Sequence, residues 1–453
     1  MTFPNNFLWS AATSAYQFEG ASNIDGKGPS IQDRRKRTGD IDVAMDHYHM
    51  YKEDIKLLGE LGLKAYRFSI AWSRILPKGT NKVNKKGLLF YQNLINECTK
   101  HNIIPVITMY HDDLPYELER NGWHKHSTID AFVEYAKILF ETFKDTYIYW
   151  QPINEQNLLT IENIVAQQES LQSTFQQNHH MFLAQAKVVK LFHDLNCKGQ
   201  IGPAPNIVAI YPKSSSPKDI QAAQDMEQLR NWLYLDVSLF GEYSKQSLQL
   251  LKKINALPIF KDGDIETLKN GICDYIAFSN YTSVCVSINN DHSVIDKTGM
   301  KYGFNIPNLF KIVPNKHLGM TPFDQEVDPH GTRIILNQVY ARYRKPIFIV
   351  ERGLGKHEHL NIHNKIEDLD RIAYLKLQII ELNKAIEDGV DVIGYCTWSA
   401  FDVMSTSNGI NKRYGLIYID CDNDDCKQLQ RIPKRSYYWY KSVIESNGEY
   451  LDI

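Results

Sequence analysis

A chain of 453 residues with a formal net charge of −2 has no chain-wide electrostatic design for nucleic acid or an anionic membrane, so any anion recognition must be local. A hydrophobic fraction of 43% and a charged fraction of 23% are ordinary for a globular chain able to bury a sizeable core. The seven cysteines, Cys98, Cys197, Cys273, Cys285, Cys396, Cys421 and Cys426, are scattered, odd in number and without CxxC or zinc spacing, so they read as reduced residues and no metal site is expected.

In chain order, the N-terminus MTFPNNFLWS lacks a basic segment followed by an apolar one, and no run approaches the roughly 18 apolar residues of a membrane span. A cytoplasmic location is the expectation. Phe7 to Ala21 opens as a strand and runs into Gln17 and Glu19. Asp46 to Gly62 has helical apolar spacing with Gly62 as a stop, and a second strand follows over Ala65 to Pro77. It carries Arg67 in an apolar setting; the partner of a buried arginine is either a structural carboxylate or a catalytic one.

Val83 to Ile103 reads as an amphipathic helix, followed by the strand IPVITMY and then His111 to Pro115. A helix over Ile129 to Phe143 precedes a fourth strand, whose run Tyr147 to Asn157 meets Asn154 and Glu155. The polar segment Gln167 to Gln177 leads into a helix over Asn178 to Leu195, then a short fifth strand at Gln200 to Pro203. Helical decoration from Pro212 to about Asp262 and a sixth strand over Asp274 to Ser283 come next, with Asn280 and Tyr281 at its exit. The proline-rich stretch Val284 to Gly331 reads as an insertion walling the mouth of a site; it could also serve as a lid or as the interface of a homo-oligomer. A seventh strand, Ile347 to Val350, leads into Glu351, and a helix over Asp368 to Asp388 precedes an eighth strand over Val392 to Asp402. Eight strands alternating with helices, and no composition shift marking a linker, predict one (β/α)8 barrel over residues 1–453.

In such a barrel the carboxyl ends of the strands form the mouth where catalytic groups gather. Read alone, Glu351 could be a solvated carboxylate or a helix cap. Two acidic residues, Glu155 and Glu351, each ending its own buried strand, are what glycosidic bond cleavage by two carboxyl groups requires.

The segments FLWSAATSAYQFEGA, DHYHMYKEDIKLLGELGLKAYRFSIAWSRILPKG, VNKKGLLFY, PVITMYHDDLP, INEQN, FSNYTS, IVERGLG and WSAFDVMS with KRYGLIYID together resemble glycoside hydrolase family 1, in the family's order over nearly the whole chain. The resemblance implies a retaining β-glycosidase without cofactor, in which Glu351 matches the nucleophile and Glu155 the acid/base. It places Arg67 and Tyr281 where the family keeps the nucleophile ionised and oriented. Gln17, His111, Asn154 and Trp398 fall where it binds the sugar of the cleaved bond.

The family's substrate signals also bear on this chain. Members acting on unmodified sugars follow the tryptophan of the eighth strand with glutamate; here Ser399 follows Trp398, which removes a charge that would repel an anion. Ser405, Lys412 and Tyr414 resemble the phosphate-binding signature of the 6-phospho-β-glycosidases, and a hydroxyl, an ammonium and a phenol suit a phosphate dianion. The blander alternative is that Lys412 and Arg413 are a solvated pair on a turn. Thr406 stands where galactose-type members have tryptophan and favours 6-phospho-β-glucosides, while the spacing from Ser405 to Lys412 is the galactosidase one. A phosphorylated β-glycoside is thus the expected partner, with no nucleic acid and no membrane.

Several residues depart from the family pattern: Asp112 after His111, Gln156 after Glu155, Arg352 after Glu351, and Phe323 where tryptophan is common. Arg352 could compensate Asp112, or strand alternation could point it away. The competing readings are a 6-phospho-β-galactosidase or dual enzyme, a β-glucosidase for plain sugars, and a weakly active phosphosugar-binding protein. His180 reads as a packed core histidine, Tyr437 to Tyr440 as the start of the last helix, and Cys421 to Cys426 as a solvated turn.

Overall fold

The computed structural model describes residues 3–36, 38–120, 122–166, 169–290, 303–423 and 427–452. Eight parallel strands form its centre: β1 (Leu8–Ala12), β2 (Ala65–Ser69), β3 (Ile104–Tyr110), β4 (Ile148–Ile153), β5 (Gly199–Ile201), β6 (Ile276–Ser279), β7 (Ile347–Arg352) and β8 (Val392–Trp398). They lie in the order β5-β4-β3-β2-β1-β8-β7-β6. The remaining gap closes through the backbone. Asp274 N donates to Ile201 O over 2.8 Å, Ser279 N to Pro205 O over 3.0 Å and Ile207 N to Ser279 O over 2.8 Å. The expected (β/α)8 barrel is therefore present.

The strands are near-continuous apolar runs because helices cover their outer faces and side chains fill the lumen, so little of either face meets water. Trp150 of β4, for instance, packs edge-on against Phe140 of the helix His126–Phe143 at 5.2 Å. The helix His47–Leu61 stops where expected: Gly62 takes φ +87°, and its N–H returns to Gly59 and Leu58 carbonyls. The last helix, Arg435–Glu445, begins as predicted around Tyr437 to Tyr440.

Differences lie where local pattern is ambiguous. The second strand ends at Ser69, because Trp72–Ile75 turns into a short helix, and the eighth ends at Trp398 rather than Asp402. The segment read as polar from Gln167 is helical from Leu171, capped by the Ser170 hydroxyl accepting from Ser173 N. The insertion builds a three-stranded sheet: Ala209–Pro212 runs parallel to Ser283–Ile288, which pairs antiparallel with Phe310–Val313. Residues 291–302 of that insertion, and 424–426 of the acidic run, lie outside the described residues. His180 is buried against the Trp123 carbonyl, as a core histidine.

Among the described residues, no helix is long and apolar enough to cross a membrane. None of their histidines, cysteines or acids cluster as metal ligands.

Candidate active site

At the carboxyl end of β7 the buried run Ile347–Val350 delivers Glu351 into the barrel mouth. Its Oε1 accepts from Nη1 of Arg67, and its Oε2 accepts from the Tyr281 hydroxyl over 2.8 Å. Arg67 is fully buried on β2 and spends its other donors on β4 and its exit: Nε on Gln151 Oε1 at 2.7 Å and Nη2 on Asn154 Oδ1 at 2.6 Å. A buried guanidinium with every edge engaged fixes the carboxylate it faces. Of the two partners conceivable for Arg67, the structure supplies the carboxylate at the barrel mouth.

Glu155 follows β4 and Asn154 with φ +44°, a left-handed backbone uncommon for a residue with a side chain. Its Oε1 accepts from Asn206 Nδ2 over 2.8 Å. Burial and then the nearby negative charge of Glu351 push its pKa up to about 7, and hydrogen bonding and Arg67 only partly oppose this. Two carboxyl groups thus share one cleft in unequal settings, one gripped by a cation and the other holding a proton near neutrality.

Asn206 was not visible as a site residue in the sequence. It follows β5 and is held by a second buried arginine, Arg230, whose Nη1 donates to its carbonyl at 2.6 Å and Nη2 to its Oδ1 at 2.7 Å. Asn157 completes the grip, donating to the Asn206 carbonyl at 2.6 Å. An asparagine at the exit of a barrel strand was the available signal, but no local pattern links it to Arg230.

The cleft encloses about 170 Å³ and is lined by Gln17, His111, Asn154, Glu155, Tyr281, Glu351, Trp398, Ser405, Thr406 and Tyr414, among others. His111 stacks on Trp398 with ring centroids 6.0 Å apart and planes at 19°. Burial, and then the positive charge of Arg67, lower the His111 pKa well below its usual value, so the ring is neutral. Its Nε2 lies 3.3 Å from Asn154 Nδ2. Gln17 is fixed by Ser14 Oγ, which donates to its Oε1, and by the Met404 carbonyl, which accepts from its Nε2, each at 2.6 Å. A row of neutral donors and acceptors beside an indole face suits the hydroxyls and apolar ring of a sugar.

Ser405 and Tyr414 face the same cleft, whereas Lys412 is not among its lining residues and lies buried behind Tyr414. The Lys412 ammonium lies 5.2 Å from the Tyr414 ring centroid and 4.6 Å from that of Phe323. Lys412 and Arg413 are 1% and 4% exposed, which removes the reading of a solvated pair. Arg413 serves the loop itself, donating to Asp402 Oδ2 at 2.9 Å and to the carbonyls of Ile419 and Cys421.

The off-pattern residues separate into different tasks. Asp112 Oδ2 accepts from Arg35 Nη1 at 2.9 Å and from Gln32 Nε2 at 2.7 Å, so its compensating cation is Arg35 and not Arg352. Arg352 points away from the cleft, as strand alternation allows. It donates to the Asn280 carbonyl at 2.8 Å and the Asp328 carbonyl at 3.0 Å, with Tyr374 beneath it. Gln156 begins the helix Gln156–Ala166 and donates to Asn178 on the next helix.

Fold and site together define a (β/α)8 barrel with two inequivalent buried glutamates at its mouth. The profile of Glycosyl hydrolase family 1 matches residues 1–449, and the chain belongs to that family. It is 38% identical to the aryl-phospho-beta-D-glucosidase BglC of Bacillus subtilis (strain 168), over 99% of this chain and 98% of that protein. It is 37% identical to a 6-phospho-beta-glucosidase of Clostridium longisporum, over 100% and 99% of the two chains. Among solved structures, the family 1 β-glucosidase of Thermotoga maritima superimposes with a TM-score of 0.89 at 33% identity, covering 99% of each chain.

Proposed function

We propose that this chain hydrolyses 6-phospho-β-glucosides with retention of configuration, releasing a sugar 6-phosphate and an aglycone. The observation carrying the reading is the pairing of Glu351, oriented by Arg67 and Tyr281, with Glu155, whose pKa near 7 keeps it protonated as an acid. Glu351 attacks the anomeric carbon while Glu155 gives its proton to the leaving oxygen, and a glycosyl-enzyme forms. Esterification removes the negative charge of Glu351, so the pKa of Glu155 falls. Glu155 then takes a proton from water, the water oxygen attacks the anomeric carbon, and both residues return to their starting states.

Gln17, His111, Asn154 and Trp398 bind the glycone, and Ser405, Lys412 and Tyr414 bind its 6-phosphate. The burial of Lys412 beside two aromatic rings and the absence of a carboxylate at Ser399 support the phosphate assignment. So do the activities for which the B. subtilis and C. longisporum relatives are named. Thr406 on the cleft wall supports glucose over galactose, since tryptophan there would crowd the sugar. We read the whole chain as one catalytic unit acting where phosphorylated sugars occur, in the cytoplasm.

The test is hydrolysis of p-nitrophenyl β-glucoside and β-galactoside, each with and without a 6-phosphate, by wild type, Glu351→Gln and Lys412→Ala. Turnover of the 6-phosphoglucoside, lost in Glu351→Gln and weakened mainly in KM in Lys412→Ala, is expected. Equal turnover of the plain glucoside with no effect at Lys412 overturns the phosphate assignment. Phosphosugar binding without turnover of any of the four glycosides favours a binding protein.

A further inference from the structure

Arg352 directly follows Glu351 at the end of β7 and is only 1% exposed, with its side chain turned away from the cleft. Its guanidinium grips neutral oxygens: Nη1 donates to the Asn280 carbonyl at 2.8 Å and to Asn280 Oδ1, and Nη2 donates to the Asp328 carbonyl at 3.0 Å. Burying a guanidinium is costly, and here the donors that offset the cost are spent on backbone. The Asn280 carbonyl belongs to the peptide plane from which Tyr281 departs, and the Asn280 N–H donates to the Glu351 carbonyl at 2.9 Å. Both polar groups of the Asn280 backbone are thus tied to the pair Glu351 and Arg352. The Asn280 side chain is held as well, with Nδ2 donating to the Ile207 carbonyl at 2.7 Å. Asp328, at the other arm, is itself anchored. Its carboxylate caps the helix Pro329–Tyr343 by accepting from Gly331 N at 2.9 Å, and it accepts from the Tyr211 hydroxyl at 2.7 Å.

We propose that Arg352 is a positioning residue for the nucleophile: it clamps Asn280 to the fixed point at Asp328 and so holds the Tyr281 hydroxyl against Oε2 of Glu351. This deepens the proposed hydrolase reading and rests on it. Arg67 holds Oε1 of the same carboxylate and Tyr281 donates to Oε2 over 2.8 Å, so the plane of the attacking group is set by one donor on each oxygen. Attack on an anomeric carbon needs that alignment before the reaction begins. A phenol is only as well placed as the backbone that carries it, and the peptide preceding Tyr281 is the one that Arg352 grips. The planar fork matters here. An ammonium at the same position keeps the charge but lacks the geometry that reaches two carbonyls at once. None of the groups that Arg352 grips belongs to the sugar or phosphate sites, so its removal acts on the nucleophile and leaves ground-state binding in place.

The experiment measures the second-order rate of covalent labelling of Glu351 by 2,4-dinitrophenyl 2-deoxy-2-fluoro-6-phospho-β-glucoside, with the labelled residue located by mass spectrometry. In that step a Glu351 oxygen bonds to the anomeric carbon and the bond to the leaving oxygen breaks; dinitrophenolate departs with the electron pair and needs no proton, so Glu155 drops out of the comparison. The enzymes are wild type, Arg352→Met, Arg352→Lys, Tyr281→Phe and each Arg352 variant combined with Tyr281→Phe. The dissociation constant of glucose 6-phosphate is measured for all of them. Arg352→Met is expected to label about tenfold or more slowly than wild type, and Arg352→Lys to fall between the two. In the Tyr281→Phe background the further loss from either Arg352 variant is expected to shrink below about twofold, since the hydroxyl that Arg352 positions is already gone. The affinity for glucose 6-phosphate is expected to stay within about twofold throughout.

Arg352 variants that label at the wild-type rate overturn the inference, as does a loss of equal size with and without the Tyr281 hydroxyl. So does a loss of labelling matched by an equal loss of glucose 6-phosphate affinity, which marks a residue serving the structure in general. If Arg352→Met does not fold, Arg352→Lys alone and combined with Tyr281→Phe decides by the same criteria. Wild type that is not labelled at Glu351 instead overturns the two-step hydrolase reading itself, and this inference with it.

Discussion

Asn206 donates its side-chain amide to Oε1 of Glu155 over 2.8 Å, from a strand exit 51 residues further along the chain. Because an amide N–H favours the ionised carboxylate, this bond lowers a pKa that burial and Glu351 raise to about 7. The activity of Glu155 as an acid should therefore give kcat/KM an alkaline limb near pH 7. Asn206→Ala, which removes the donor, moves that limb to higher pH. A pH profile of kcat/KM measures it, and a limb that stays put or moves down would disprove the assignment to Glu155.

Removing the negative charge opposite has the reverse sign. In Glu351→Gln the carboxylate repulsion on Glu155 is gone, so its pKa falls below that of wild type. Carbon-13 NMR of labelled glutamate side chains reads this directly. The same variant should lose turnover by about four orders of magnitude or more, the scale seen when a nucleophile is removed from a catalytic unit.

Behind the segment that carries Arg413 and Tyr414, Glu358 joins Arg371 at 2.6 Å and Lys434 at 2.5 Å. Burial pushes the Glu358 pKa up, but the two cations outweigh it and bring it from 4.5 down to about 2. A carboxylate with a lowered folded-state pKa contributes stability that is complete above its unfolded value and is lost as pH falls through its folded value. Thermal unfolding should therefore show a loss of stability in wild type between about pH 4.5 and pH 2 that is smaller in Glu358→Gln. At pH 7 that variant should be less stable by about 3 kcal/mol, since it leaves two buried cations short of a partner.

Gly355 lies directly against Lys412 and Tyr414, two of the proposed phosphate ligands. A Cβ there would collide with Cε of Lys412 and come within 2.8 Å of its Cγ and 2.9 Å of the Tyr414 ring. Gly355→Ala should displace both groups and raise KM for a 6-phosphorylated substrate by about tenfold, with a smaller effect on kcat, consistent with the cost of overpacking a tight contact. Steady-state kinetics on the 6-phosphoglucoside test it; an unchanged KM would place the phosphate elsewhere.

Much of the site was legible because barrel strands are short, buried and end abruptly in polar residues. Glu351 after Ile347–Val350, and Asn154 with Glu155 after the run ending at Ile153, could be found by reading where apolar runs stop. Arg67 was conspicuous as a cation in an apolar strand. Asn206 and Arg230 were not, because asparagine after a three-residue strand and arginine inside a helical segment carry no local pattern. The fate of Asp112 was equally hidden: its cation, Arg35, sits 77 residues earlier, while the nearer suspect, Arg352, packs on Asn280 and Asp328.

The sequence by itself determined the alternation of strands and helices, the barrel they close into and the two acids at its mouth. These follow from hydrophobic periodicity and from which residues terminate buried runs, both of which are local. Tertiary structure alone decided which charges meet: Glu351 with Arg67 from 284 residues away, Asp112 with Arg35, and Lys412 between Phe323 and Tyr414. It also set the protonation of Glu155 near pH 7. Hydrogen bonds, desolvation and Coulomb forces depend on distances through space, and the closure of the barrel is what brings together groups that the chain order keeps far apart.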